Sequence, residues 1–309
     1  MVCSGSNRRI VQSALYMDTV VTLTIATDAT PTEVEPALAR AFAAFERVQG
    51  VCNRFDAQAE ISKLALQIGK AIPVSDLLFE AIRFALAVAD CSRGAFDPTL
   101  GFALQANGFD RNYLTGARLN LSGNSGSTTS YRDVVLDAQH KTVLLTKPLV
   151  LDLGAVAKGL AVDIAAQELS DFRGFMIDAG GDIFAGGLNE RGEPWRIGVR
   201  HPKQKDRIIC AIELTDAAVC TSGGYERPSP VKAGTHHLIE PSTGMSPGQV
   251  VSSTVIAPFA MLADAFSTTA FILGPDKGIA YLEEVGLEGM LITPALELRV
   301  TQEMERFLV

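Results

Sequence analysis

Residues 174–185, GFMIDAGGDIFA, set the fold class of this chain. Apolar residues on both sides of Gly180 and Gly181 predict two strands, at 174–178 and 182–185, with a close backbone approach between them. A structural β-bulge is the simpler interpretation of the two glycines. Further strands are predicted at 195–199, 208–214, 217–221 and 251–256. Because these strands follow one another without strict alternation with helices, the pattern favours an α+β fold with antiparallel sheets.

Four segments have the apolar periodicity of helices, at about 32–50, 75–91, 156–169 and 259–273. Thr32 and Glu35 fit a capping box at the start of the first helix, and Gly274 fits the end of the last. With 309 residues the chain is near the size at which one core divides, so one large domain or two closely packed lobes are expected. We predict a single domain over residues 10–309 and a flexible N-terminus over residues 1–9.

The composition excludes several classes of protein. The net charge is -8 and no run of Lys or Arg occurs, which argues against nucleic acid as a partner. No stretch of apolar residues is long enough for a transmembrane segment. Five scattered cysteines indicate reduced thiols and not a disulfide framework. The N-terminus has no apolar run typical of a signal peptide, so we expect a cytoplasmic protein, or a periplasmic one if an export signal has been removed.

The segment Leu151–Gly159, LDLGAVAKG, is a candidate phosphate site. An apolar strand is predicted at 149–152, ending at Asp152, and small residues then lead into a helix that carries Lys158. Small residues let a backbone approach a ligand closely, and a helix start offers free N–H groups to phosphate. The Walker A and GxGxxG patterns are absent. A tight strand-to-helix turn with an exposed lysine is an equally good interpretation of this segment alone.

The segment 261–274, MLADAFSTTAFILG, is a candidate metal site. The predicted helix is apolar on nearly every face, yet it contains Asp264, and a buried carboxylate is costly unless it is paired or binds a metal. Thr268 follows four residues later, so both oxygens lie on one face of the helix. A carboxylate and a hydroxyl suit Mg²⁺. The alternative is structural, with Asp264 as a cap or ion-pair partner and Thr268 bonded to its own helix.

Two further segments are weaker candidates. In His236–Met245, HHLIEPSTGM, consecutive histidines on a strand point to opposite faces, so at most one of them faces a site. A single histidine is more often a structural residue than a catalytic one. The segment Gly94–Gly101, GAFDPTLG, follows a helix and is equally compatible with a plain turn.

Taken together and in this order, these segments resemble the ApbE family of FAD:protein FMN transferases. The family shows a DLGxxAKG-like segment, a GGD, a histidine segment ending in Pro-x-[ST]-Gly, and an ADAxST helix, and all four are present between Asp152 and Thr268. Weaker matches occur upstream, at Met17–Thr19, at Phe55 with Glu60–Ser62, and at Ala95–Asp97. The resemblance implies an α+β, T-fold-like architecture of two closely associated lobes with antiparallel sheets and packed helices.

The resemblance also implies roles for individual residues. The Mg²⁺ ligands would be the carbonyl of Ala155 and the side chains of Asp264 and Thr268. The residues that contact FAD or line its pocket would be Met17, Phe55, Ala95, Phe96, Asp97, Asp152, Lys158 and Leu238. The catalytic residues would be Lys158, His237 as the first choice of general base, and Asp182 as the alternative base.

Four departures from the family pattern stand out. Asp18 replaces the glycine that usually follows Met17, Phe55 stands where tyrosine is common, and Glu240 replaces the commoner aspartate. Many members are exported lipoproteins, whereas the sequence shows neither a signal peptide nor a lipobox. The last departure bears on localisation more than on chemistry.

The implied activity is Mg²⁺-dependent transfer of the FMN half of FAD to a Ser or Thr hydroxyl in the flavinylation motif of an acceptor flavoprotein, with release of AMP. Two alternatives use the same site. One is an FAD pyrophosphatase that delivers FMN to water, and the other is a non-catalytic FAD-binding protein.

Overall fold

The strands and helices are taken from a computed structural model that describes residues 8–112, 115–116, 118, 129–204 and 206–309. The strands are β1 Arg8–Tyr16, β2 Thr19–Thr27, β3 Ala71–Pro73, β4 Val134–Asp137, β5 Thr142–Leu145, β6 Gly174–Ala179, β7 Asp182–Gly187, β8 Trp195–Arg200, β9 Ile208–Leu214, β10 Ala217–Gly223, β11 Ser252–Ala257, β12 Glu288–Ile292 and β13 Leu298–Val300. The α-helices are α1 Pro31–Cys52, α2 Glu60–Leu64, α3 Asp76–Cys91, α4 Gly101–Ala106, α5 Gly154–Glu168, α6 Ala260–Leu273 and α7 Pro275–Glu284. Two 3₁₀ turns lie at Tyr131–Asp133 and Met304–Phe307.

The main sheet has eight strands in the order β1-β2-β6-β7-β10-β11-β12-β13, and every neighbouring pair in it is antiparallel. This confirms the predicted α+β class with antiparallel sheets. Within the described residues β1 and β13 form the two edges, so the sheet is open and no barrel is formed. The β6–β7 turn is a two-residue hairpin loop and not a bulge: Gly180 and Gly181 have φ of 68° and 97°, and Asp178 pairs with Ile183.

Helices α1, α5 and α6 cover one face of the main sheet, and the hairpin β8–β9 covers the other. A smaller sheet, β3-β5-β4, forms the second lobe. Its residues Val134, Val143 and Leu145 belong to the same buried core as β2 and α1, which explains why the two lobes are closely associated. No helix in the described part of the chain is long and apolar enough to cross a membrane.

Local corrections to the predicted elements have simple causes. The capping box of α1 uses Thr30 and Glu33 in place of Thr32 and Glu35. Pro31 occupies the first helical position, so the residue directly before it, Thr30, is the N-cap. The predicted strand at 149–152 makes only an isolated bridge, between Val150 and Leu100. Residues 122–130, whose Ser, Gly, Thr and Asn composition predicts a surface loop, lie mostly outside the described residues.

The predicted domain boundary at residue 10 stays a prediction, although two residues of the expected flexible N-terminus already lie in β1. Arg8 and Arg9 pair there with Thr27 and Ala26.

Helices α5 and α6 pack closely at Gly159. A Cβ at this position would lie 2.5 Å from the carbonyl oxygen of Ala260 and 2.5 Å from the Cα of Met261, both backbone atoms. Glycine is therefore required here by the contact between the two helices. This contact brings the two helices that carry Lys158 and Asp264 together.

Gly159→Ala is expected to lower the free energy of unfolding by about 1–3 kcal/mol, because the added methyl group must push two backbones apart. The measurement is urea unfolding of both proteins. Gly50→Ala in α1 is the matched control, since a Cβ there meets nothing within 4 Å. That control is expected to be neutral or stabilising by up to about 1 kcal/mol, as alanine favours a helix over glycine. Equal stability changes in both variants would contradict the close α5–α6 contact.

Candidate active site

A buried charge cluster, formed by Lys158, Asp182 and Asp264, lies where α5, the start of β7 and α6 meet. Lys158 Nζ donates to the carboxylate of Asp182 and lies 3.5 Å from Oδ2 of Asp264. The side chains of Asp182 and Asp264 are 4% and 6% exposed, and that of Lys158 is 20% exposed. The cluster thus places two buried carboxylates against one ammonium group.

The pKa values in this cluster reflect that imbalance. Burial, followed by the negative charge of Asp182, raises the pKa of Asp264 to about 7. Burial alone would lower the pKa of Lys158, but the carboxylates of Asp182 and Asp264 outweigh it and the pKa rises. Lys158 is therefore charged at neutral pH, and a further cation beside Asp264 would favour its ionised form.

Thr268 lies one turn after Asp264 on α6, as the spacing predicts, and is 7% exposed. Its hydroxyl is 3.0 Å from Oγ of Ser222, which comes from β10. Ala155 lies at the start of α5, where its φ of -94° and ψ of 18° depart from helical values. Within the described residues no three His, Cys, Asp or Glu side chains form a metal group, so any metal here would rely on hydroxyl and carbonyl oxygens as well.

Asp152 is held by neighbours on both oxygens. Its Oδ2 accepts from Nε of Arg54, and its Oδ1 accepts from the N–H of Gly154 at 2.9 Å. Burial would raise the pKa of Asp152, but the guanidinium of Arg54 and the Gly154 N–H lower it below its ordinary value. Arg54 also donates to the carbonyl of Phe109 at 2.8 Å. The carboxylate of Asp152 thus shapes the start of α5, and its predicted contact with FAD stays a prediction.

His237 lies beside Phe109, the residue whose carbonyl accepts from Arg54, and the two ring centroids are 6.4 Å apart. Burial, followed by the positive charge of Arg227, lowers its pKa to about 3, so the ring is neutral at physiological pH. Its Nδ1 is buried and has no hydrogen-bond partner among the residues that the structure describes. His236 points elsewhere, since its Nε2 contacts the carbonyl of Pro247 at 3.2 Å and its ring packs edge-on against Phe271. The two rings therefore face different surroundings, as predicted, but the predicted strand does not form, since His236 makes only an isolated bridge, with Pro228.

The remaining predicted pocket residues fall into two groups. Phe96 and Leu238 are 4% and 5% exposed and belong to the hydrophobic core. Asp97 closes its own loop, because Oδ1 accepts from the N–H and hydroxyl of Thr99 at 2.8 and 2.7 Å and Oδ2 accepts from the N–H of Tyr131 at 3.0 Å. Ala95 lies in that same loop and is partly exposed. None of these contacts tests a role in binding FAD, so those roles stay predictions.

Comparison with known proteins places this arrangement in a family. The profile described as "ApbE family" matches residues 17–291. The Treponema pallidum protein named FAD:protein FMN transferase is 30% identical to this chain, over 97% of the chain and 89% of that protein. The chain belongs to the ApbE family.

Other ApbE relatives agree. The Escherichia coli K12 protein named FAD:protein FMN transferase is 28% identical over 72% of this chain and 66% of its own length. The solved structure of the ApbE protein from Thermotoga maritima matches with a TM-score of 0.86 and 28% identity, covering 97% of this chain and 99% of that one. The flavin transferase ApbE from Vibrio cholerae, 24% identical, has the same fold, with a TM-score of 0.83 over 98% of this chain and 100% of that one.

Two departures from the ApbE pattern are explained by local geometry. Met17 and Asp18 form the two-residue β1–β2 turn with φ of 50° and 62°, a conformation that glycine adopts freely and aspartate tolerates. Asn112 Nδ2 holds the Asp18 carboxylate at 2.9 Å from both oxygens. Glu240 caps the following turn, because its Oε2 accepts from the hydroxyl of Thr243 at 2.9 Å.

Phe55, the third departure, stacks under the guanidinium of Arg54, whose Cζ lies 4.1 Å from the ring centroid. The aromatic ring is thus tied to the residue that pairs with Asp152. A tyrosine hydroxyl at this position is not needed for that contact.

Four residues near the ApbE site were missed in the sequence: Arg54, Asp163, Ser222 and Arg227. Asp163 had a usable signal, because it is a charged residue in an apolar helix, as Asp264 is. Its two oxygens accept from the N–H groups of Ala260 and Met261, at 2.7 and 2.9 Å, and so cap α6. The other three had no signal, since only the fold brings them near Asp152, Thr268 and His237.

Proposed function

We propose that this protein transfers the FMN half of FAD to a Ser or Thr hydroxyl of an acceptor protein and releases AMP. The observation that carries the proposal is the buried charge cluster of Lys158, Asp182 and Asp264, with the hydroxyl of Thr268 one turn from Asp264. The name FAD:protein FMN transferase, borne by relatives over most of this chain, identifies the reaction that such a phosphate site would serve.

We further propose that the site binds Mg²⁺ through the carbonyl of Ala155 and the side chains of Asp264 and Thr268. The residues fit this ion in two ways. All three ligands are oxygens, which Mg²⁺ prefers. Two buried carboxylates share one ammonium group, so a further positive charge at the site would balance the second carboxylate. When bound, Mg²⁺ would supply Lewis-acid polarisation of the pyrophosphate.

The protein side chains provide the rest of the chemistry. Lys158 has three N–H donors, of which two are directed to Asp182 and Asp264, so one remains for a phosphate oxygen of FAD. A lysine held between two carboxylates keeps its charge and its position, which stabilises negative charge on the phosphates without reorganisation.

We assign the general base to His237, whose ring is neutral at physiological pH and whose Nδ1 is not engaged by any of the described residues. As the acceptor hydroxyl oxygen bonds to the FMN-side phosphorus, its proton passes to the imidazole. The phosphoanhydride bond breaks, and AMP leaves with the bonding electron pair. Asp182 is the less suitable base, because its carboxylate is already engaged by Lys158.

Intact-mass spectrometry tests the proposal. The full chain is incubated with FAD, Mg²⁺ and a flavoprotein domain that contains a Ser/Thr flavinylation motif, with a Ser/Thr→Ala acceptor and an EDTA-treated reaction as controls. The expected result is a gain of one phospho-FMN group on the intact acceptor only, together with AMP. Free FMN and AMP with an unlabelled acceptor would establish a pyrophosphatase instead, and unchanged FAD would leave a binding protein.

The compartment in which the reaction takes place stays a prediction from the sequence, either cytoplasmic or, after export, periplasmic. Fractionation of cells that express the native gene tests it.

A further inference from the structure

Two serine hydroxyl groups form a hydrogen-bonded chain with the hydroxyl of the proposed metal ligand Thr268. Ser222 Oγ is 3.0 Å from the hydroxyl oxygen of Thr268 and 2.7 Å from Oγ of Ser267. Ser267 Oγ in turn lies 2.9 Å from the carbonyl oxygen of Asp264. Ser222, Ser267 and Thr268 are 8%, 0% and 7% exposed. We infer that Ser222 and Ser267 are positioning residues, which turn the lone pairs of Thr268 away from the protein and toward the cation; this rests on the proposed function.

The direction of each hydrogen bond follows from the number of protons available. A hydroxyl group has one proton to donate and can accept two hydrogen bonds. The carbonyl of Asp264 can only accept, so Ser267 donates to it. With its proton used, Ser267 must accept from Ser222. Ser222 has then used its own proton, so it must accept from Thr268.

Thr268 therefore commits its single proton to Ser222 and presents only lone pairs on its remaining side. This is the state that a cation ligand requires, because a hydroxyl proton pointing at the metal would repel it. The chain also ends on the backbone of Asp264, the other side-chain ligand, so one network orients Thr268 and ties it to the helical turn that bears Asp264.

The neighbouring residue Thr269 shows the contrast. Its hydroxyl donates back to the carbonyl of Ala265 at 2.8 Å, which is the usual behaviour of a threonine inside a helix. Among the described residues Thr268 makes no such bond, and its only hydroxyl partner is Ser222. Ser222 thus competes with the helix backbone for the proton of Thr268.

The test measures metal affinity directly, apart from activity. Mn²⁺ is titrated into the full-length protein, with and without ADP as a non-reacting pyrophosphate, and free Mn²⁺ is followed by electron paramagnetic resonance. Ser222→Ala is expected to weaken Mn²⁺ binding about 10-fold or more, as loss of a group that orients a metal ligand commonly does. Ser267→Ala is expected to weaken it less, because Ser222 can still accept the proton of Thr268.

Thr254→Val is the matched control. Thr254 is 1% exposed, and its hydroxyl pairs with that of Thr221 at 2.9 Å, so the variant removes one partly buried hydroxyl–hydroxyl bond between β10 and β11. Its Mn²⁺ affinity is expected to stay within about 2-fold of the wild type. Its urea midpoint should fall, but by less than that of Ser222→Ala, because Thr254→Val loses one hydrogen bond whereas Ser222→Ala loses two.

The order of the variants separates positioning from general stability. A purely structural network would make Ser267→Ala the most damaging change for metal affinity, because each serine makes two of the bonds but Ser267 is fully buried and Ser222 is 8% exposed. That order, or a Ser222→Ala protein that binds Mn²⁺ like the wild type, would overturn the inference and leave the transferase proposal intact. A wild-type protein that binds no Mn²⁺ with ADP present would overturn both.

Discussion

Asp264→Asn is expected to reduce FMN transfer below detection while the protein stays folded. Asparagine keeps the shape of the side chain but removes the negative charge that would hold Mg²⁺, and it leaves Lys158 paired with Asp182. The measurement is the rate of acceptor labelling at several Mg²⁺ concentrations. Asp276→Asn, at a side chain that is 91% exposed, is the control and is expected to match the wild type.

The direction in which Asp264→Asn changes the stability of the protein can be predicted. Because burial raises the pKa of Asp264 from 3.8 to about 7, ionisation of this group costs folding free energy as the pH rises through that interval. Asparagine cannot ionise, so without metal at pH 8 the variant should be at least as stable to urea as the wild type. Mg²⁺-dependent transfer by Asp264→Asn would refute the assignment of Asp264 as a metal ligand. Unfolding of the variant at pH 8 would refute the claim that ionisation of Asp264 costs folding free energy.

His237→Ala is expected to lower the rate of FMN transfer by about 10²–10⁴-fold, the usual contribution of a general base. The KM for FAD should change little if the ring acts on the acceptor hydroxyl and not on FAD. Single-turnover labelling of the acceptor, with FAD in excess, measures the effect. His236→Ala is the matched control; its ring packs against Phe271, so the variant should lose stability but keep its rate once folded.

The pH profile distinguishes this base from an ordinary histidine. Burial and Arg227 lower the pKa of His237 to about 3, so the ring becomes protonated only far below neutral pH. At saturating Mg²⁺ we therefore expect no loss of rate from His237 protonation between pH 8 and pH 5, whereas an unperturbed histidine, with a pKa of about 6.5, would lose most of its activity there. A His237→Ala protein with more than about one tenth of the wild-type rate would exclude His237 as the base.

Local patterns predicted the elements that depend on their own residues. The apolar segment at 259–273 forms α6 over Ala260–Leu273, and Gly274 ends it. The glycine pair at 180–181 forms a hairpin with strands at nearly the predicted bounds. The cap of α1 was predicted at the wrong residue because the helix begins at Pro31. The predicted strand at 149–152 did not form, since it makes one isolated bridge and does not pair with a neighbouring strand.

Asp264 and Thr268 come together through helix periodicity, and the sequence alone determined that pair, because residues four apart on a helix share a face whatever surrounds them. It also determined the family, through four motifs in fixed order. The partners of Lys158 in the folded protein could not be predicted from the sequence. Its predicted partner was phosphate, yet in this structure its ammonium lies between Asp182 and Asp264.

Only the tertiary structure decided how α5, β7, β10 and α6 meet. The close approach at Gly159 sets the spacing of α5 and α6, and the antiparallel register places Ser222 behind Thr268. Such contacts join residues far apart in the chain, and their geometry depends on packing between whole elements, which no local pattern encodes. The sequence thus determined which groups bear the chemistry, and the packing of the elements decided which of them meet.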